Sequence, residues 1–172
     1  MSDLLFSDPV RLHQVGAGVS RTLEPDAAAR KRIAASLDLA ALDAFTAEMD
    51  LKPTDAGWRL KGRVRAQAVQ TCGLTLEPLP VEIDRTFVIR LAEAVDEDSD
   101  EIVIDMDDDD APDLIEEGRI DLGQYAVEQL LLSLDPFPRK PGAEFVQPEE
   151  PHEISPFAVL KAFPTKDSSG QG

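Results

Sequence analysis

The sequence has few residues that could build a metal site or a disulfide. Its 172 residues include one cysteine, Cys72, and two histidines, His13 and His152. A structural zinc site usually needs four Cys or His ligands, and these three side chains lie far apart along the chain. One cysteine cannot form an internal disulfide, which fits a reducing compartment. The sequence therefore predicts no metal ion, no cofactor and no disulfide.

Cys72 allows three interpretations: half of a broken metal site, a reactive thiol, or a small hydrophobic side chain at the mouth of a hairpin. Nucleophilic catalysis would need a base beside the thiol, and no sequence pattern positions a histidine there. Free cysteine is among the most frequently buried residue types, so a packed, inert side chain is favoured. No catalytic residue is predicted.

Long apolar runs are also missing. No stretch approaches the roughly 18 consecutive apolar residues that indicate a membrane span. The N-terminus, MSDLLFSDPV, lacks the basic-then-apolar pattern of a secretion signal, so we expect a cytoplasmic protein with no membrane partner. A hydrophobic content of 42% suffices for one core. Residues 1–140 are predicted to form a single domain, followed by a flexible linker and an apolar motif in residues 141–172.

Basic residues are scarce relative to acidic ones, at 17 Lys and Arg against 34 Asp and Glu, for a formal charge of −17. The segment 96–117 holds 13 acidic residues and no basic ones, which leaves 21 acids against 17 bases elsewhere. Because the excess is concentrated, the net charge does not exclude a nucleic-acid partner. We predict that this segment is a solvated, self-repelling insertion.

The acidic insertion contains a partial calcium-loop pattern. Asp105, Asp107, Asp109 and Glu116 fall at loop positions one, three, five and twelve. Asp110 stands at the sixth position, where the sharp turn of the loop requires glycine. A calcium site is therefore disfavoured, and only weak, unspecific binding of divalent cations is expected.

Hydrophobic periodicity predicts an α+β fold. Alanines after Pro25 predict a short helix. Three runs that alternate apolar and polar residues, 42–51, 58–68 and 81–91, predict consecutive strands of an antiparallel sheet. The sheet, open or barrel-like, is expected to pack against one or two helices.

The clearest helix is predicted in IDLGQYAVEQLLLSLDPFP. Asp121 can cap its N-terminus, with Gln124 as the reciprocal partner, and Pro136 can end it. The apolar stripe of this helix is predicted to consist of Val127, Leu130, Leu131 and Leu134.

A cationic strip is the best candidate for a nucleic-acid-binding surface. It consists of Arg59, Lys61, Arg63 and Arg65, which period two places on one face of a strand. A register that sets Leu51 opposite Trp58 gives the first two cations acidic neighbours and leaves Arg63 and Arg65 uncompensated. A binding role and a merely solvated face remain equally open. No aromatic residues interleave with the strip, which argues against a stacking platform for bases.

The apolar motif SPFAVLKAF follows a linker rich in Pro and charge, and it repeats hydrophobic residues at Phe157, Leu160 and Phe163. It could dock on its own domain or anchor a partner. Docking on the parent domain is favoured because an exposed patch of this kind lowers solubility.

The order of motifs resembles the YceD family, bacterial and plastid proteins linked to accumulation of large-subunit ribosomal RNA. The motifs are VRAQAVQTCGLTLEPLPVEIDRTFVIRL, the acidic insertion, IDLGQYAVEQLLLSLDPFPRKPG and PFAVLKAF. Many members carry Cys-x-x-Cys-Leu-x-Pro at the hairpin, and Thr75 stands where the second cysteine would be. Cys72 thus resembles the surviving half of a pair, in a structural role.

This resemblance implies a non-enzymatic, cytosolic factor that binds large-subunit ribosomal RNA or its precursor particle during ribosome assembly. The alternative is an acidic adaptor or chaperone for basic ribosomal proteins, with the acidic insertion imitating RNA charge. The two hypotheses differ in which region matters, the face of Arg63 and Arg65 or the segment 96–117. The sequence indicates no oligomeric state.

Overall fold

A computed structural model of the chain describes residues 5–93, 111–115 and 117–144. These residues form an open five-stranded sheet, a two-stranded sheet and two helices, which confirms the predicted α+β class. One face of the large sheet, here called the inner face, carries the buried residues, and the opposite, outer face is exposed. No helix in the described ranges is long and apolar enough to cross a bilayer.

The elements follow one another along the chain with short connections. They are β1 (Pro9–Arg11), a 3-10 turn (Leu12–Gln14), β2 (Val19–Leu23), α1 (Ala27–Ser36), β3 (Ala41–Thr54), β4 (Gly57–Thr71), β5 (Pro78–Glu93), β6 (Asp113–Ile115), β7 (Arg119–Asp121) and α2 (Leu122–Leu131). The large sheet has the order β2-β3-β4-β5-β6, and the small one pairs β1 with β7. All pairings are antiparallel except that of β5 with β6.

The three long strands confirm the predicted meander. Alternation in β4 buries Leu60, Val64, Ala66 and Ala68 and exposes the residues between them. Gly62 continues this buried row, and a Cβ there would overlap the ring of Phe87 and the sulfur of Met49. The missing side chain therefore leaves room for two large neighbours on the inner face.

The register of the β3–β4 hairpin differs from the sequence-based expectation. Residues 52–57 were expected to break the strands, but Thr54 pairs with Gly57 and only two residues form the turn. Gly57 has a φ of 128°, a conformation that glycine adopts without steric cost. Leu51 consequently lies opposite Leu60 rather than Trp58. A shift of two residues keeps every side chain on its predicted face but changes every cross-strand partner.

Both helices begin at aspartate caps. Asp26 accepts a hydrogen bond from Ala29 N at 2.7 Å and caps α1. Pro25 therefore lies just before the cap and outside the helix. Asp121 caps α2 as predicted and accepts from Gln124 N at 3.1 Å. Asp121 also accepts a hydrogen bond from Asp8 N, in the N-terminal segment, at 2.9 Å. The cap therefore also holds the start of the chain against α2.

Helix α2 ends earlier than predicted and buries a different stripe. Its last residue is Leu131, and tight turns follow before Pro136. Leu130 is fully buried whereas Leu131 is 50% exposed, so the prediction for Leu131 was wrong. Leu130 and Leu131 lie about 100° apart around the helix axis, and the structure turns Leu130 toward the core and Leu131 toward solvent. The apolar residues that α2 buries are Leu122, Ala126, Val127 and Leu130, and Leu134 is half-buried beyond the helix.

Truncation of Leu130 to alanine is expected to lower the free energy of unfolding by about 2–5 kcal/mol, because its side chain fills the core under α2. The matched control is Leu131→Ala, one position along and half exposed, with an expected loss below about 1 kcal/mol. Denaturant unfolding of both variants measures the difference. Equal losses at the two positions would contradict the orientation of the helix.

Candidate nucleic-acid interface

The cationic strip lies on the outer face of the sheet, as predicted. Arg59, Lys61, Arg63 and Arg65 are all exposed, and they alternate along β4 with buried residues. Their partners on β3 and β5 decide how much of this positive charge is available to a ligand.

Arg63 and Arg65 have acidic partners, so the prediction that they are uncompensated was wrong. Arg63 donates two hydrogen bonds to Asp84, from Nε at 2.7 Å and from Nη2 at 2.5 Å. Arg65 Nη2 donates to Glu48 Oε1. The contact with Arg63 lowers the pKa of Asp84 and keeps this carboxylate charged. Two causes explain the error: the register is shifted by two residues, and β5 supplies an acid that the expected hairpin did not include.

Arg59 and Lys61 have a different environment near the β3–β4 turn. Arg59 pairs in register with Lys52 on one side and Arg90 on the other, so three cations stand side by side. Lys61 lies opposite Asp50, but Lys52 Nζ already contacts that carboxylate at 2.9 Å and lowers its pKa. Within the described part of the chain, no ion pair includes Arg59 or Lys61.

Charge on the outer face is thus graded along the long strands. The half near the β3–β4 turn, here called the cationic end, carries four cations and one carboxylate: Lys52, Arg59, Lys61, Arg90 and Asp50. The other half carries two cations and three carboxylates: Arg63, Arg65, Glu48, Glu82 and Asp84. Lys52 and Arg59 stand opposite one another on adjacent strands, where like charges repel, so an anionic ligand beside Arg59 would offset this repulsion.

Cys72 lies at the far end of β4, in the turn to β5. It is fully buried, as predicted for a packed side chain. The turn closes around it, because Leu76 N donates to Cys72 O and Cys72 N donates to Glu77 O, both at 2.9 Å. Its sulfur accepts hydrogen bonds from Thr75 N at 3.5 Å and Lys140 N at 3.3 Å. The sulfur therefore joins the turn to the segment that follows α2.

These donors make Cys72 unusually acidic. The hydroxyl of Thr75, and then the backbone N–H groups of Lys140, Thr75 and Leu74, lower its pKa from 9.0 to about 6. Burial opposes this shift because removal from water penalises the thiolate, but the donors outweigh it. The sulfur is thus a buried hydrogen-bond acceptor that stabilises the turn.

The candidate metal ligands are not brought together. Among residues 5–93, 111–115 and 117–144, no cluster of three or more His, Cys, Asp or Glu side chains is placed to hold a metal ion. His13 lies beside Glu93, at the opposite end of β5 from Cys72. The remaining candidates lie outside the described residues: His152, Asp105, Asp107, Asp109 and Glu116.

A family model described as "Large ribosomal RNA subunit accumulation protein YceD" matches residues 60–163. The match covers more than half of the chain and includes β4, β5 and α2. The chain belongs to the YceD family. This membership confirms the resemblance that the sequence motifs indicated. Comparison with curated proteins and with solved structures gave no match.

Within the YceD family resemblance, Thr75 replaces the second cysteine of the hairpin motif. Its backbone N–H still donates to Cys72 Sγ, and its hydroxyl accepts a hydrogen bond from Glu77 N at 3.4 Å. The turn therefore closes around a single sulfur. This arrangement supports the structural role that the resemblance implied for Cys72.

The acidity of Cys72 predicts a pH-dependent contribution to stability. A thiol whose folded pKa is lowered stabilises the fold fully above its unfolded pKa near 9.0, and this stabilisation disappears as the pH falls through about 6. The difference in unfolding free energy between the wild type and Cys72→Ala should therefore grow from pH 6 to pH 9. Denaturant unfolding across this range tests it, and Thr75→Val, which removes the strongest donor, should flatten the rise. If the difference in unfolding free energy between the wild type and Cys72→Ala does not change with pH, the lowered pKa of Cys72 is contradicted.

Proposed function

We propose that this YceD-family chain is a non-enzymatic, cytoplasmic factor in assembly of the large ribosomal subunit that contacts ribosomal RNA directly through its cationic end. The family description supports a link to large-subunit ribosomal RNA. The exposed Arg59 and Lys61 support direct contact, because exposed cations on one face of a strand suit a phosphate backbone.

The observation that carries this proposal is the state of Arg59 and Lys61. Both are exposed, and neither takes part in an ion pair with another described residue. A phosphate that approaches Arg59 displaces no carboxylate of the described residues, and at Lys61 it competes only with the charge of Asp50, which Lys52 already contacts. Release of counterions is therefore available as a driving force. Contacts of this kind position RNA and carry little sequence information.

Arg63 and Arg65 belong to the same predicted site but contribute less in this proposal. A phosphate would have to compete with Asp84 for Arg63 and with Glu48 for Arg65. Both side chains are about half exposed, so the ion pairs can exchange partners at small cost. The two arginines therefore extend the interface without forming its centre.

The competing function is an adaptor or chaperone for basic ribosomal proteins. The 13 acidic residues of the segment 96–117 favour it, because such a segment attracts cationic partners. Most of this segment lies outside the described residues. If the adaptor function holds, deletion of residues 98–110 abolishes capture of basic proteins, whereas changes to the outer face have little effect.

Two double variants that each remove two charges from β4 test the proposal. Arg59→Gln with Lys61→Gln should reduce crosslinking to ribosomal RNA and cosedimentation with large-subunit particles on sucrose gradients. Loss of two phosphate contacts should also lower the slope of log K against log salt by about 1.4. The matched control, Arg63→Gln with Arg65→Gln, should cause a smaller loss because those cations are already paired.

The outcomes separate the two functions. If crosslinking to ribosomal RNA is unchanged in the first double variant, direct binding through the cationic end is contradicted. If crosslinking falls more in the control variant, the centre of the interface lies at Arg63 and Arg65 instead. Loss of particle association only on deletion of residues 98–110 favours the adaptor.

A further inference from the structure

The chain after α2 runs back across the inner face of β4 and β5 toward the β4–β5 turn. Residues 132–140, here called the strap, are held along their whole length. The contacts, in order, are Arg85 Nη1 to Leu132 O at 2.7 Å, Gln70 Nε2 to Asp135 O at 2.8 Å, Gly73 N to Pro138 O at 2.9 Å and Lys140 Nζ to Glu77 Oε2 at 2.9 Å. The strap is thus fixed to the sheet at several points.

The strap leaves large apolar side chains in solvent. Phe137 is 78% exposed and Leu76, in the turn that the strap contacts, is 76% exposed. Leu131 and Leu132, where the strap begins, are 50% and 56% exposed. These residues, here called the apolar end, account for four of the six large hydrophobic side chains that are exposed in the described ranges. Phe137 and Leu76 lie at the same junction, because Gly73 N donates to Pro138 O and Leu76 N donates to Cys72 O, and Leu132 lies farther along the sheet beside Arg85. Exposed hydrophobic side chains along one connection are a candidate binding surface.

The sheet beside the apolar end is also incompletely covered. Val81 and Ile83, on the inner face of β5, are only half-buried. β6 pairs with residues 91–93 of β5, and residues 78–90 have no strand on that edge among the described residues. Leu76 has a φ of 58°, a strained conformation for leucine that the surrounding turn maintains. A rigid, partly open apolar surface results.

We propose that the C-terminal apolar segment, residues 156–163, packs against the apolar end of its own chain. The length of the connection supports this occupant. Lys140 is fixed beside the β4–β5 turn, and Glu144, four residues later, is the last described residue before the segment. The 13 residues from Glu144 to Phe157 have a root-mean-square span of about 20 Å as a flexible chain, so the segment stays near the surface.

The chemistry of the segment matches the surface. Phe157, Leu160 and Phe163 recur every third residue, the spacing of anchors that enter an apolar groove. A short tether raises the effective concentration to the millimolar range, so weak contacts suffice for occupancy. The family match ends at residue 163, so the segment lies within the part of the chain that the family model covers, as β5 and α2 do.

Methyl and aromatic NMR spectra of the full chain test the docking. The test variant combines Phe157→Ser, Leu160→Ser and Phe163→Ser. The control combines Lys166→Ser, Asp167→Ser and Gln171→Ser, beyond the segment. Signals of Leu76, Leu131, Leu132 and Phe137 report on the apolar end, and those of Val88 and Leu114, exposed toward the other end of β5, serve as the internal reference.

Docking predicts that the test variant shifts the signals of the apolar end, leaves the reference signals in place and keeps the denaturation midpoint. The control variant should match the wild type, and a synthetic peptide of residues 154–165 added to the test variant should restore the wild-type shifts. Identical spectra for test variant and wild type would overturn the proposal. It is equally overturned if the wild-type shifts depend on protein concentration together with a dimer mass, or if they change only when ribosomal particles are added.

Discussion

The two-residue turn between β3 and β4 is the constraint on which the rest of the structure depends. Pairing of Thr54 with Gly57 fixes the register of β3 against β4. On the inner face this register brings Met49 over Gly62, and the register of β4 with β5 brings Phe87 to the same place, where the absent side chain makes room for both. On the outer face it decides which cations meet carboxylates. The β3–β4 turn, together with the register of β4 with β5, thus sets both the packing around Gly62 and the pattern of surface charge.

The length of β4 separates two surfaces of different chemistry. The strand has 15 residues and spans about 45 Å, with Arg59 near its start and Cys72 just beyond its end. Arg59 and Lys61, which form no ion pair with another described residue, lie toward the first end, and Leu76 and Phe137 are exposed beside the second. Because a rigid sheet joins them, a ligand at one end does not compete for space with a ligand at the other. The fold therefore suits simultaneous contact with RNA phosphates and an apolar segment.

The sequence predicted the faces of the strands and the cap of α2, because these depend on local periodicity and on the type of one residue. It did not predict the register, since alternation assigns a side chain to a face and leaves the cross-strand partner open. The pairing of Arg63 with Asp84 was missed for the same reason, although alternation in β5 places Asp84 on the outer face. Three consecutive leucines also obscured the stripe of α2, and strands of three residues are too short to show a period.

Cys72 joins the β4–β5 turn to the strap. A buried acceptor at this point receives N–H groups from its own turn, through Thr75, and from the strap, through Lys140. The ion pair of Lys140 with Glu77 lies on the exposed side of the same junction and is the weaker tie, since solvent screens it. Thr75 serves this purpose with both its hydroxyl and its backbone N–H, the hydroxyl having the larger effect on the sulfur. The remaining sulfur keeps the strap against the sheet, and the strap in turn holds Phe137 and Leu132 outward. The exposure of Phe137 and Leu132 thus follows from several contacts that fix the strap, of which the hydrogen bond from Lys140 N to the Cys72 sulfur is one.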